Sequence, residues 1–164
     1  MAKFFIIGLI MLIFYACNPF NYELDNSIGA EGGLISDQKT VDGVFQNFLY
    51  AYTFKDTTIY GQLLERDYSF VFRDYNQGID VSWGRDEEMG ATYGLFQNTQ
   101  RLDLIWNNIV SITSDSSNII RSFNLTVTFN PTDIVFVDGR VNLDLVKGDD
   151  DTWKILRWKD ESNF

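Results

Sequence analysis

Residues 101–113, RLDLIWNNIVSIT, are followed by 119–129, IIRSFNLTVTF, by 134–147, IVFVDGRVNLDLVK, and by 152–160, TWKILRWKD. Apolar and polar side chains alternate in each, and β-branched and aromatic residues abound, which is the pattern of half-buried strands. The separators SDSSN (114–118), NPTD (130–133) and GDDD (148–151) are clusters of turn-forming residues. Connectors this short join antiparallel neighbours, so residues 101–160 are expected to form a meander. Asp138-Gly139 resembles a hairpin turn, but Val135, Val137, Val141, Leu143 and Leu145 keep one phase across it. A bulge or bend is expected there instead.

Upstream the period changes from two to 3.6. Val41, Val44, Phe45, Phe48, Leu49 and Tyr52 fall on one stripe of a helix that Thr40 can cap. Asp56 can cap a second, short helix carrying Ile59, Tyr60, Leu63 and Leu64. Tyr68, Phe70 and Phe72 then alternate with Ser69, Val71 and Arg73 as a strand, and a loop is expected over Asp74 to Gly84. Asp86, Glu87 and Glu88 sit where a helix amino terminus favours negative charge, with Met89, Tyr93 and Phe96 as that third helix's apolar face.

Helices followed by a long-stranded antiparallel sheet make an α+β domain with the helices on one sheet face. Several stretches resemble the NTF2-like (SnoaL-like) superfamily: Val44-Phe45-Gln46-Asn47-Phe48 with Ala51-Tyr52 and Asp56, Leu63-Leu64 with Asp67-Tyr68-Ser69-Phe70, and Trp153-Lys154-Ile155 with Trp158 and Asp160. The resemblance implies a cone in which helices pack on a curved antiparallel sheet. Its motifs are packing positions, so it bears on fold and hardly on function.

The amino terminus has another character. MAKFFIIGLIMLIFYAC (1–17) places one Lys, then the apolar run Phe4 to Phe14, then Ala16 before the only Cys. That is the order of an export signal, and the run is shorter than the roughly 20 residues of a membrane-spanning helix. Phe14-Tyr15-Ala16-Cys17 resembles the lipobox of bacterial lipoproteins, which implies acylation of Cys17 and a lipid anchor in the bacterial cell envelope, in a membrane left open. Residues 18–39, with Gly29, Gly32 and Gly33 in a polar setting, read as a tether. The expected organisation is a signal peptide at 1–16, a lipidated tether at 17–39 and an NTF2-like domain at 40–164.

Composition narrows the chemistry. There is no His among 164 residues, so the commonest metal ligand and general base are absent, with every Ser-His and Cys-His nucleophile pair. A formal charge of −10 without a basic patch argues against nucleic acid as a partner. Asp149-Asp150-Asp151 lacks the alternate spacing and closing Glu of a calcium loop, so no metal site and no cofactor is expected. Asp103 shares a face with Arg101, and Asp144 with Asn142 and Arg140, which puts both on the polar side of the sheet. Asp160, in phase with Leu156 and Trp158, is the strand acid best placed to look inward and the weak catalytic candidate. Phe45, Phe48, Phe70 and Phe96 read as core. Tyr52, Tyr60, Trp106 and Trp158 carry polar handles that are costly to bury alone, so they are the candidate pocket residues.

These features point first to a noncatalytic envelope lipoprotein whose domain binds a small apolar or glycan ligand or a protein partner. A carboxylate-based isomerase, dehydratase or hydrolase built on Asp160 is the alternative. A third reading is a module that forms a homodimer through its sheet face.

Overall fold

The computed structural model describes residues 33–161. The signal, Cys17 and most of the expected tether lie outside these residues. Within them, helices α1 (Val41–Phe54) and α2 (Thr57–Leu63) precede strands β1 (Leu64–Asp74) and β2 (Ile79–Gly84). Helix α3 (Arg85–Asn98) then leads into β3 (Arg101–Ile112), β4 (Asn118–Asn130), β5 (Asp133–Lys147) and β6 (Trp153–Asp160).

Helix α1 starts where Thr40 accepts a hydrogen bond from the Gly43 amide at 3.0 Å, and it ends on Lys55 in the left-handed region at φ 55°. The Lys55 ammonium then donates to the Thr99 carbonyl at 2.8 Å, tying the helix end to the entry of β3. Asp56 caps α2 by accepting from the Thr58 and Ile59 amides. Both caps satisfy amides that lack a partner within the helix.

The strands form one curved, unclosed sheet in the order β2-β1-β6-β5-β4-β3. β3 to β6 are the expected antiparallel meander. The sheet as a whole is mixed, because β1 pairs in parallel with β6. The meander starts at one edge and leaves the outer side of β6 open, and β1 closes that edge with its own unpaired backbone groups. The β1–β2 hairpin occupies residues expected to be a loop, with Phe70 opposite Trp83 and Asp74 opposite Ile79. At Asp138-Gly139 the pairing with β4 runs on without a shift, Asn124 facing Asp138 and Phe123 facing Gly139. Of the bulge or bend expected there, the bulge is absent from that ladder.

The core lies between the helices and the concave sheet face. Phe48 of α1 is 2% exposed, and its ring lies within 5.5 Å of the rings of Tyr52, Tyr60, Trp106 and Trp158. Burial of an aromatic side chain of this size stabilises by roughly 1.5–3 kcal/mol.

Asn47, fully inside on the other face of α1, accepts from the Ser36 amide at 2.7 Å and donates to the Ser36 carbonyl at 3.0 Å. It also donates to Gln38 Oε1, while the Gln38 side chain and backbone bond the backbone of Trp153. The end of the segment read as a tether is thus pinned to α1 and β6.

Candidate functional site

α1, α3 and the concave face of the sheet enclose a pocket of about 280 Å³. Leu104, Phe123, Val127, Val137 and Val141 form its sheet wall, and Phe48 and Tyr52 its α1 wall. They arrive there by simple periodicity: alternate residues of a strand share a face, and i and i+4 share a helix side. Phe70, Trp83 and Trp158 close the β1–β6 side, and Ala91, Thr92 and Leu95 come from α3. Phe70 and Trp83 stack with centroids 4.5 Å apart, and Phe70 meets Trp158 edge to face at 5.3 Å. A second hollow near the β1–β2 turn shares Phe70, Trp83 and Asp160 with the first, so the two adjoin along these side chains.

Two carboxylates line the pocket, Glu88 and Asp160. Glu88 is 5% exposed and its oxygens accept three hydrogen bonds. Tyr60 Oη donates to Oε1 at 2.6 Å, Thr92 Oγ1 to Oε1 at 3.2 Å, and Trp83 Nε1 to Oε2 at 2.7 Å. An indole N–H and two hydroxyls are neutral donors, and among the described residues Glu88 has no ion-pair partner.

The tyrosines around this carboxylate are held neutral. Burial is the largest cause that raises the Tyr52, Tyr60 and Tyr68 pKa values far above the ordinary phenol value, and the Glu88 charge adds to the shift in all three. Asp160 adds to it at Tyr52, where the Tyr60 hydroxyl is the one lowering influence. Two buried polar atoms lack a hydrogen-bond partner among the described residues, the Tyr68 hydroxyl and Trp158 Nε1. An unsatisfied buried donor costs about 1–3 kcal/mol.

Of the residues singled out from the sequence, Tyr52, Trp106, Trp158 and Asp160 line the pocket. Trp106 Nε1 donates to the Phe45 carbonyl at 3.1 Å, so its polar edge is already engaged. Tyr60 lies behind the wall, fully buried, with its hydroxyl on Glu88. Of the four residues read as core filling, Phe45 and Phe96 are core, whereas Phe48 and Phe70 also face the pocket. Asp103 pairs with Arg101, and Asp144 with Arg157 and Asn118, all away from the pocket. Cys17 lies outside the described residues.

Glu88 was not among the expected site residues. It does lie in the acidic first turn of α3, and it is also part of a buried stripe, Glu88, Thr92 and Phe96, spaced by four. Tyr93, expected on the buried face, is 57% exposed. Stepping back from Phe96 by four and by eight would have found the stripe, but its polar members look like a solvent face unless the donors at Tyr60 and Trp83 are known. Asp160 faces inward with Trp158, while Leu156 sits at a β-bulge and is exposed.

Among the described residues no group of His, Cys, Asp and Glu is arranged to hold a metal ion, and no helix is long and apolar enough to cross a membrane.

No protein-family model matches the chain, and no curated protein matches it. Solved structures do. A candidate scytalone dehydratase from Novosphingobium aromaticivorans DSM 12444 aligns with a TM-score of 0.64 at 13% identity, over 76% of this chain and 82% of that one. An NTF2-like protein of unknown function from Exiguobacterium sp. 255-15 aligns with a TM-score of 0.53 at 12% identity, over 73% and 98%. A candidate SnoaL-like polyketide cyclase from Jannaschia sp. CCS1 aligns with a TM-score of 0.51 at 13% identity, over 82% and 92%. At such identities the likeness concerns the fold, which is NTF2-like.

Proposed function

We propose that this chain is a noncatalytic binding protein of the bacterial cell envelope. A lipid on Cys17 anchors it, and its NTF2-like domain takes a small, largely apolar molecule into the pocket between α1, α3 and the sheet. The observation that carries the reading is the lining: aromatic and aliphatic side chains nearly throughout, with Glu88, Asp160, Tyr52 and Thr92 as the few polar groups. Ligand sites have this composition, with a small number of placed polar groups fixing orientation. A dry cavity of about 150 Å³ holds benzene. At about 280 Å³, this one suits a molecule of one or two rings. A glycan, which needs many polar partners, fits such a lining poorly.

A second reading, carboxylate catalysis, draws on Asp160 and Glu88 lining one pocket. Glu88 is a poor base, because three donors already engage its oxygens. Asp160 would have to act as base, with the Tyr52 hydroxyl and Trp158 Nε1 as candidate donors for a developing oxyanion.

Trp83, Trp106 and Trp158 all line the pocket, so tryptophan emission should respond as small aromatic compounds are titrated into the purified protein. Trp106→Phe and Trp158→Phe should each remove part of the response. An unresponsive spectrum across a broad panel refutes the binding reading, and turnover abolished by Asp160→Asn replaces it with the enzyme. For the anchor, intact mass spectrometry of membrane-extracted protein should find an acylated Cys17 as the first residue; an unmodified thiol there refutes it.

A further inference from the structure

The charged side chains of the pocket's own lining are both acids, while Arg73 lines the adjoining hollow and pairs with Asp80. The pocket lining includes the carboxylates of Glu88 and Asp160 and contains no Lys or Arg. The buried Glu88 charge is met by the neutral donors of Tyr60, Thr92 and Trp83 and, among the described residues, by no cation. Dipoles offset a buried charge only in part, and a counter-charge is what usually completes its partnership. A carboxylate offers about four acceptor positions, and three are taken here.

Several ring pairs of the pocket lining are set steeply to one another, although Trp83, which donates to Glu88, stacks on Phe70 at 16°. Phe48 lies at 76° to Trp106 and 65° to Trp158, and Phe70 at 73° to Trp158. Rings at such angles present π-faces as well as edges to the space between them, and the faces of Trp and Phe attract cations. The protein already uses this attraction on itself: the Arg121 guanidinium lies 4.7 Å from the Phe45 centroid and 5.8 Å from that of Trp106. Arg121 is not part of the pocket lining.

We propose that the molecule taken by this pocket is an organic cation, a protonated amine or quaternary ammonium on a small apolar or aromatic body. The apolar body fills the space between the sheet and α1, and the cationic head lies toward Glu88 and Asp160 among the rings. The inference rests on the binding reading above and adds the charge of the ligand to it. An anion of the same size would meet two like charges and no donor of positive sign. A neutral molecule would fill the space and leave the Glu88 charge as it is.

The test uses three probes of one shape class on the purified protein, followed by tryptophan emission. They are benzyltrimethylammonium, its uncharged carbon isostere neopentylbenzene, and phenylacetate. Titrations are run at ~0.5 M NaCl, where attraction to the acidic surface is screened and contacts in a buried site persist. Benzyltrimethylammonium is expected to bind about tenfold or more tightly than neopentylbenzene, and phenylacetate not measurably. Glu88→Gln should reduce that preference several-fold, and Asp160→Asn, which leaves the Tyr60–Thr92–Trp83 network intact, should reduce it independently if the first variant folds poorly. Neopentylbenzene binding as tightly as the cation overturns the charge assignment and leaves the binding reading standing. Preference for phenylacetate also overturns the assignment, and silence from all three probes overturns it together with the binding reading.

Discussion

Tyr60→Phe removes one oxygen from a residue that is 0% exposed and leaves its ring packing in place. The ring stays edge to face with Phe48 at 5.5 Å and with Phe96 at 6.4 Å, so the cavity created is negligible. What is lost is a 2.6 Å hydrogen bond to Glu88 Oε1, which then keeps only the longer 3.2 Å contact from Thr92, together with the hydrogen bond between the Tyr60 and Tyr52 hydroxyls. Hydrogen bonds to charged groups contribute about 1.5–3 kcal/mol, and a buried carboxylate that loses a donor sits at the upper end. Against a total stability of about 5–15 kcal/mol that is a large fraction. Urea denaturation should show a lower midpoint with an unchanged slope, since the surface exposed on unfolding is the same. Glu88→Gln keeps an acceptor oxygen but removes its charge, so it should remove part of the effect of Tyr60→Phe, giving a coupling of about 1 kcal/mol in a double-mutant cycle. A change below about 0.5 kcal/mol for Tyr60→Phe would refute the argument, because it is what a solvated carboxylate on a helix surface would give.

Phe48→Asp places a charge among four aromatic rings and should unfold the domain, while Asp150→Asn, in an exposed turn, should leave the denaturation midpoint almost unmoved; equal midpoints contradict the core described here. Tyr52, Tyr60 and Tyr68 have folded pKa values raised above the ordinary phenol value of about 10, so their contribution to stability is complete below that pH and is lost as pH rises beyond it. Ultraviolet titration should therefore show these tyrosines ionising together with loss of near-ultraviolet circular dichroism, and their ionisation in a still-folded protein counts against the burial. Asn47→Ala should release Ser36 to Gln38 from α1, raising amide exchange and proteolysis in that segment before global unfolding, at a cost of about 1–3 kcal/mol; unchanged protection of the Ser36 amide would show that other contacts hold it.

Local patterns set the elements. The alternation in 101–160 gave strands whose ends fall within one residue of those observed, and the Thr40 and Asp56 caps start α1 and α2 as their side chains require. These signals are legible because hydrophobic period and capping depend on residues a few positions apart. The β2 strand, IDVSWG, was missed because it is short, mostly outside the core and next to a turn. Its strand character comes from pairing with β1, with Phe70 and Trp83 stacked across the ladder.

The sequence by itself determined that 41–54 buries one stripe, that four strands fold into a meander, and that without His any catalysis would have to use carboxylates, Tyr, Lys or Arg. Only the tertiary structure decided that β1 lies parallel to β6 and that Asp160 shares a pocket with Glu88. Within Asp86-Glu87-Glu88 the spacing of four back from Phe96 points to Glu88, but no local signal chooses to bury an acid. The choice is made by Tyr60 on α2 and Trp83 on β2, whose donors converge on Glu88 after the sheet and helices have packed. Burial of a charge depends on partners far along the chain, whereas period and capping do not, and this separates what was legible from what was not.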